Sequence, residues 1–268
     1  MTDSPPPLAP TTGPFRLGET VLLVDPKRRR YLFTLEAGGQ FHSHAGFLPH
    51  EDLVGQPDGS AVTTTQGQSF VAWRPTLSDY ILKMPRGAQV IYPKDLGPML
   101  MLADVSPGLR VLESGVGSGA LSMALLRAGA NVTGYELRED FAARAVSNVG
   151  RMLGPAALER YDVQLRDCYE GIDGGEFDRI ILDLPEPWRV VEHASGALRP
   201  GGILLSYTPS VVQVTRLRNE LNGAGFALAE TLEVLNRTWH VEDPAVRPDH
   251  RMVAHTGFLT HARRLNEG

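Results

Sequence analysis

The apolar positions fall into two regimes. Between Gly18 and Trp73 they form short runs, TVLLVD, RRYLFTL, AVTTT and QSFVAW, punctuated by glycine and proline, as at Gly38-Gly39 and in QPDGS (56–60). Such runs predict a small all-β module built from hairpins. LSDYILKM (77–84) has helical spacing. From Val111 onward, strand-like and helix-like runs alternate. RVLES leads through a glycine-rich turn into ALSMALLRAG; NVTGYE precedes EDFAARAVSNVGRMLG; YDVQLRD leads towards FDRIILDL. WRVVEHASGALRPGG, ILLSYTP and VVQVTRLRNELNGAG follow, then LAETLEVLNR and TGFLTHARR. Strands separated by helices of this length predict βαβ units and a mostly parallel sheet. The last two strands have no helical pattern between them, which predicts an antiparallel pair at one edge. The expected organisation is a proline-rich tail without order over 1–14, a β-domain over 15–75, a linker over 76–95 and an α/β domain over 96–268.

Composition narrows the classes. Lys and Arg number 26 against 31 Asp and Glu, a net charge of −5, so contact with nucleic acid has to come from local clusters. Lys27–Arg30 is one cluster, and Arg247, His250 and Arg251 are another. The single cysteine, Cys168, excludes an internal disulfide and argues against a cysteine zinc site. His42, His44 and His50 have only Glu51 and Asp52 as acidic partners at ligand spacing and read as structural, so no metal is expected. With neither an apolar run of about 18 residues nor a signal peptide, the chain reads as a soluble cytoplasmic protein without membrane contact.

VLESGVGSGAL (111–121) is a strand, a tight turn and a helix start. Gly115, Gly117 and Gly119 allow a ligand to approach bare backbone, and the helix N-terminus favours an anionic group. Gly115, Gly117 and Ala120 also satisfy the dinucleotide pattern, so a nicotinamide cofactor and S-adenosylmethionine are both candidates. Glu136, 21 residues after Gly115, could accept from ribose hydroxyls in either case. Glu113, Glu136, Asp167 and Asp183 are all expected at the carboxyl edge of the sheet. Four carboxylates would repel a pyrophosphate and favour a sulfonium, which tilts the choice to S-adenosylmethionine. Asp183 opens DLPEPW, where Pro185 and Pro187 remove two N–H donors and restrict the chain. A poised carboxylate on a donor-poor loop suits an acceptor that itself donates, such as an exocyclic amine.

VLESGVGSGALS and LDLPEPW resemble TrmI-type tRNA adenosine N1-methyltransferases, which act on the T-loop adenosine at position 58. IYPKD (91–95), FHSHAGFLPHEDLVG (41–55) and RPDHRMVAHTGFL (247–259) are similar to further stretches of that family, the last to its C-terminal hairpin. The resemblance implies a seven-stranded class I (Rossmann-like) methyltransferase domain preceded by a small all-β domain, a homotetramer, S-adenosylmethionine as donor and tRNA as partner. It implies that Ser118, Gly119, Ala120 and Leu121 hold the methionine part, Glu136 the ribose and Asp167 the adenine, with Phe141 as a wall. Asp183 is the implied catalytic residue. Its carboxylate, with an ordinary pKa of about 3.9, is expected to be ionised. Tyr92 and Tyr207 are implied to bracket an extruded base. Competing readings are a nicotinamide-dependent oxidoreductase, a methyltransferase for another amine-bearing small molecule or protein, and a non-catalytic RNA-binding protein.

Overall fold

The computed structural model describes residues 12–87 and 89–266, so most of the proline-rich tail lies outside it. The chain divides into two compact units: residues up to Pro85 with Gly150–Ala156, and Arg86–Val149 with the residues from Ala157 onward.

The first unit contains β1 (Thr20–Val24), β2 (Arg30–Thr34), β3 (Gln40–Ser43), β4 (Gly46–Pro49), β5 (Ser60–Thr63), β6 (Ser69–Trp73) and α1 (Leu77–Lys83). Four strands form an antiparallel sheet in the order β2-β1-β6-β5, and β3 pairs with β4 in a separate hairpin. Phe15, Val21, Leu23, Leu35, Leu48, Leu53 and Phe70 fill its core. Residues 12–14, expected within the disordered tail, are held in place: Arg74 donates to the carbonyls of Gly13 and Pro14. Helix α1 starts with a capping box, Thr76 and Asp79 each bonding the other's backbone N–H. The basic run 27–30 occupies the turn from β1 to β2, where Arg29 pairs with Asp25 at 2.6 Å and Arg30 with Asp79 at 2.7 Å. His50 accepts from the Glu36 N–H through Nδ1 and stacks on Phe33.

The second unit begins with α2 (Pro93–Leu102), β7 (Arg110–Ser114), α3 (Ala120–Arg127), β8 (Asn131–Glu136), α4 (Glu139–Leu153), α5 (Pro155–Leu158) and β9 (Tyr161–Leu165), α4 and α5 being divided between the units. It continues with β10 (Phe177–Leu182), α6 (Val191–Ala197), β11 (Leu198–Thr208), α7 (Val211–Leu221), β12 (Phe226–Glu233), β13 (Trp239–Glu242), β14 (Ala245–Pro248) and β15 (Phe258–Arg264). Its seven-stranded sheet runs β12-β15-β11-β10-β7-β8-β9, parallel except that β15 lies antiparallel to both neighbours. The fold class expected from the sequence is therefore the one formed, including the antiparallel pair at the edge. Central strands such as β10 are buried on both faces and so read as continuous apolar runs. Helix α4 buries Phe141, Ala142, Ala145, Asn148 and Val149, a stripe at helical spacing.

Two further details differ from expectation. The helix predicted over 188–202 ends at Ala197, and Leu198–Gly202 already belongs to β11. Pro200 has no N–H to give a helix, and Gly201 adopts φ +76°. The C-terminal hairpin expected over 247–259 forms earlier, as β13 and β14, with Val241 opposite Val246. Among the described residues no helix is long and apolar enough to cross a membrane.

Candidate active site

The chain leaves β7, builds β8 and β9 to one side, then returns to place β10 on the other side of β7. This reversal makes the carboxyl ends of β7 and β10 the switch point, where open α/β sheets bind ligands. Both sequence-predicted motifs sit there. Gly115, Gly117 and Gly119 all have positive φ, at +87°, +57° and +82°. Gly115 is confined as well as left-handed, because a Cβ there would collide with the Asp183 carbonyl oxygen. The Asp183 N–H in turn donates to the Ser114 carbonyl at 2.9 Å. The glycine turn and Asp183 thus share one seam of backbone.

The turn is held from two sides. Glu136 accepts the Gly117 N–H on Oε2 at 2.9 Å, and the N–H groups of Leu137 and Arg138 on Oε1, both at 3.0 Å. A carboxylate offers about four acceptor sites. Three are occupied, and one remains on Oε2 for a ligand hydroxyl. Asn148, which sequence reasoning passed over, donates through Nδ2 to the Ser118 carbonyl at 3.0 Å. A buried amide on the inner stripe of α4 was the available signal, since such a group must find a partner. The Ser118 hydroxyl is buried and has no partner among the described residues. It lies next to the first turn of α3, whose N–H groups have no acceptor within the helix. Ala120 and Leu121 are buried in that turn. An unpartnered hydroxyl, orphan N–H groups and a glycine cradle fit the amino-acid end of S-adenosylmethionine.

Asp167, half-buried beyond β9, accepts the Tyr169 N–H at 2.8 Å. Phe141 is buried in the first turn of α4, with the Arg138 guanidinium 3.8 Å from its ring centroid, so a cation covers one face of the expected wall.

Charge at the edge is lower than expected. Glu113 is 1% exposed and lies beneath the turn, where it accepts from the Ser122 hydroxyl at 2.6 Å; Ser122 accepts from Tyr161 at 2.8 Å. Burial raises its pKa to about 8, so at pH 7 it is mostly neutral and does not act as one of four surface carboxylates. Asp183 also departs from the ordinary value assumed for it. Its residue keeps some exposed surface, yet protein surrounds the carboxyl, and burial lifts its pKa to about 7. The electrostatic preference for a sulfonium therefore rests on Glu136, Asp167 and a half-ionised Asp183.

On the acceptor side, β11 pairs with β10 so that Ser206 faces Leu182, which puts Tyr207 beside Asp183. Tyr207 donates to the Thr256 carbonyl at 2.6 Å, and burial raises its pKa to about 12. Tyr92 is the N-cap of α2 and is partly exposed. Side chains absent from the sequence reading brace the DLPEPW loop. Tyr169 accepts the Glu186 N–H at 3.0 Å, and Gln213 donates to the Pro185 carbonyl at 2.8 Å. Arg216 stands over Trp188.

The family described as the tRNA methyltransferase complex GCD14 subunit matches residues 70–246, and the TrmI-like N-terminal family matches residues 13–62. The chain is 40% identical over 247 residues, 91% of its length and 96% of the relative's, to a tRNA (adenine(58)-N(1))-methyltransferase TrmI of Thermus thermophilus. It is 32% identical to the tRNA (adenine(57)-N(1)/adenine(58)-N(1))-methyltransferase TrmI of Methanocaldococcus jannaschii, covering 90% of this chain and 94% of that one. Among solved structures, a SAM-dependent O-methyltransferase of Thermotoga maritima superposes with TM-score 0.89 at 32% identity, covering 95% of this chain and 96% of that one. The tRNA (m1A58) methyltransferase TrmI of Aquifex aeolicus superposes with TM-score 0.82 at 29% identity, covering 95% and 100%. With both of its parts matched, and with relatives this similar along nearly all of its length, the chain belongs to the TrmI family of tRNA methyltransferases.

Proposed function

We propose that this protein transfers a methyl group from S-adenosylmethionine to N1 of the adenosine at position 58 in the tRNA T-loop. The observation that supports the reading is the backbone seam between Gly115 and Asp183, which joins the glycine turn to the start of the DLPEPW loop. The donor supplies an electrophilic methyl on a positively charged sulfur. Ser118 and the first turn of α3 hold the amino-acid end, Glu136 the ribose through its remaining acceptor site, and Asp167 with Phe141 the adenine. Adenine N1 attacks with its lone pair; the new N–C bond forms as the S–C bond breaks, and the positive charge passes to the base. Asp183 accepts from the N6 amine and stabilises that charge. The nearby sulfonium favours ionisation of Asp183, although burial alone leaves it half protonated at neutral pH. Tyr92 and Tyr207 stack on the extruded base, a contact worth about 1–3 kcal/mol per base. Arg247 and Arg251, exposed on and after β14, suit tRNA phosphates.

The reading extends to a cytoplasmic homotetramer. The exposed Trp239, Val241 and Val246 support an assembled form, and light scattering should give four times 29.2 kDa. The likeness to the Thermotoga SAM-dependent O-methyltransferase supports one alternative, methyl transfer from S-adenosylmethionine to an acceptor other than tRNA. Incubation with S-adenosylmethionine and an unmodified tRNA transcript, followed by nucleoside mass spectrometry and reverse-transcription mapping, separates the two. 1-Methyladenosine at position 58, lost in Asp183→Ala, is the expected result. Donor binding without any methylated nucleoside would overturn the tRNA reading.

A further inference from the structure

Lys94 follows Tyr92 by two residues, and its side chain is nearly buried. Its ammonium has three hydrogens and meets three acceptors: Asp95 Oδ1 at 2.8 Å, the Val234 carbonyl at 2.7 Å and Thr256 Oγ1 at 2.6 Å. Thr256 passes its own hydroxyl hydrogen to Asp95 Oδ2 at 2.7 Å, and Asp95 is fully buried. The Thr256 carbonyl then accepts from the Tyr207 hydroxyl at 2.6 Å. Next in the chain, Gly257 lies flat against the Tyr207 ring, where a Cβ would collide with it. Val234 and Thr256 are the two ends of the excursion that carries β13 and β14. One ammonium therefore pins both ends of that excursion to the start of α2, and one threonine links this anchor to Tyr207.

We infer that Lys94, Asp95 and Thr256 are positioning residues for the acceptor base, locking the excursion and the Tyr207 ring in register with Tyr92. The inference rests on the proposed function, since it assigns the two tyrosines to the base. The network is closed: every hydrogen of the ammonium and both carboxylate oxygens are used. A buried ion pair adds little net stability, and here its bonds tie three separate segments to one arrangement. The donor cradle shares none of these bonds, so loosening the network should cost acceptor alignment and leave donor binding intact.

The test compares Thr256→Val, which keeps the shape and loses the hydroxyl, with Thr256→Ser, which restores it. Steady-state kinetics on a tRNA transcript, donor calorimetry and spectra of protein labelled with 13C-tyrosine are read together. Thr256→Val should lower kcat/KM for tRNA about tenfold or more, since misplacement of an ångström can cost far more. Donor Kd should stay within about twofold because the sites share no partner. The Tyr207 resonances should shift in Thr256→Val and return in Thr256→Ser, with or without tRNA. Unchanged Tyr207 resonances in Thr256→Val would overturn the inference, as would donor Kd weakening in step with kcat/KM. If wild-type protein methylates no tRNA nucleoside, the proposed function fails, and the tyrosine spectra still decide whether the network holds the ring.

Discussion

Replacing Asp183 by asparagine should abolish most turnover and stabilise the protein, for the same reason. Burial raises the carboxyl from 3.8 to about 7, so the fold prefers it protonated. Below about pH 4 the group is protonated in folded and unfolded chains alike, and it costs nothing. As pH rises towards 7 the unfolded chain releases the proton and the folded one keeps it. Stability then falls by about 1.4 kcal/mol per pH unit, until both states are ionised and the penalty levels off. Between pH 5 and 7 the ceiling is about 3 kcal/mol, which the exposed part of the residue reduces to about 1–2. The asparagine side chain cannot ionise and escapes this loss. For a chain of this size, the variant's melting temperature without donor should exceed wild type by about 3–6 °C more at pH 8 than at pH 5. Glu113 is raised to about 8 chiefly by burial and further by the Asp183 charge, so its own loss of stability with pH is slightly smaller in the variant and adds to the difference in the same direction. Activity should move the other way. Wild-type kcat/KM measured with donor well below saturation, so that it reports the donor-free enzyme, should rise about tenfold from pH 6 to 8 through one ionisation near 7. The asparagine variant should lose about 10²–10³ in kcat and show a flat profile. Parallel melting curves for the two proteins across this range would refute the buried-carboxyl argument, whatever the kinetics show.

Glu136→Gln turns an amide NH2 towards one of the three N–H groups that the carboxylate now accepts, losing about 1.5–3 kcal/mol. Donor Kd by calorimetry should weaken about tenfold or more, and an unchanged Kd would contradict the role of Glu136 in holding the turn. Gly115→Ala should remove donor binding, because φ is +87° and the methyl would strike the Asp183 carbonyl; Gly223→Ala, into open space, is the neutral control. His255 bridges Glu233 and the Pro209 carbonyl, one through each ring nitrogen, and both bonds raise its pKa. Its stabilising effect should be complete below the unfolded value of about 6.5 and fade as pH rises through the folded one. An NMR titration midpoint above 6.5 that falls in Glu233→Gln would bear this out.

The elements that the sequence made legible are those where burial and backbone demand coincide. Continuous apolar runs marked β7 and β10 because both faces of a central strand are covered. Three glycines marked the turn because the chain there must adopt left-handed φ. Asp183 stood out because a carboxylate ends an apolar strand. What escaped was burial of the charged groups themselves. Residue type does not reveal that Glu113 turns under α3 towards Ser122 and Tyr161, or that Asp183 is enclosed enough to lose its ordinary pKa. Long-range polar partners escaped for a similar reason. Asn148, Gln213 and Thr256 act on segments 30, 28 and up to 162 residues away, separations that no local pattern encodes. The basic run 27–30 read as a phosphate contact, yet Arg29 and Arg30 already hold carboxylates of their own module.

The seam between Gly115 and Asp183 also fixes the offset between the glycine turn and the Asp183 backbone. In many transferases a closing lid fixes the gap between two substrates, and the gap varies with the lid. Here the glycine turn and Asp183 hang from neighbouring strands joined in parallel register, Leu182 against Ser114. Their separation follows from the spacing of hydrogen-bonded strands, about 4.8 Å, a constant of sheet geometry that no side chain adjusts. That backbone offset is thus inherited by every sequence that keeps this pairing, whatever side chains surround it.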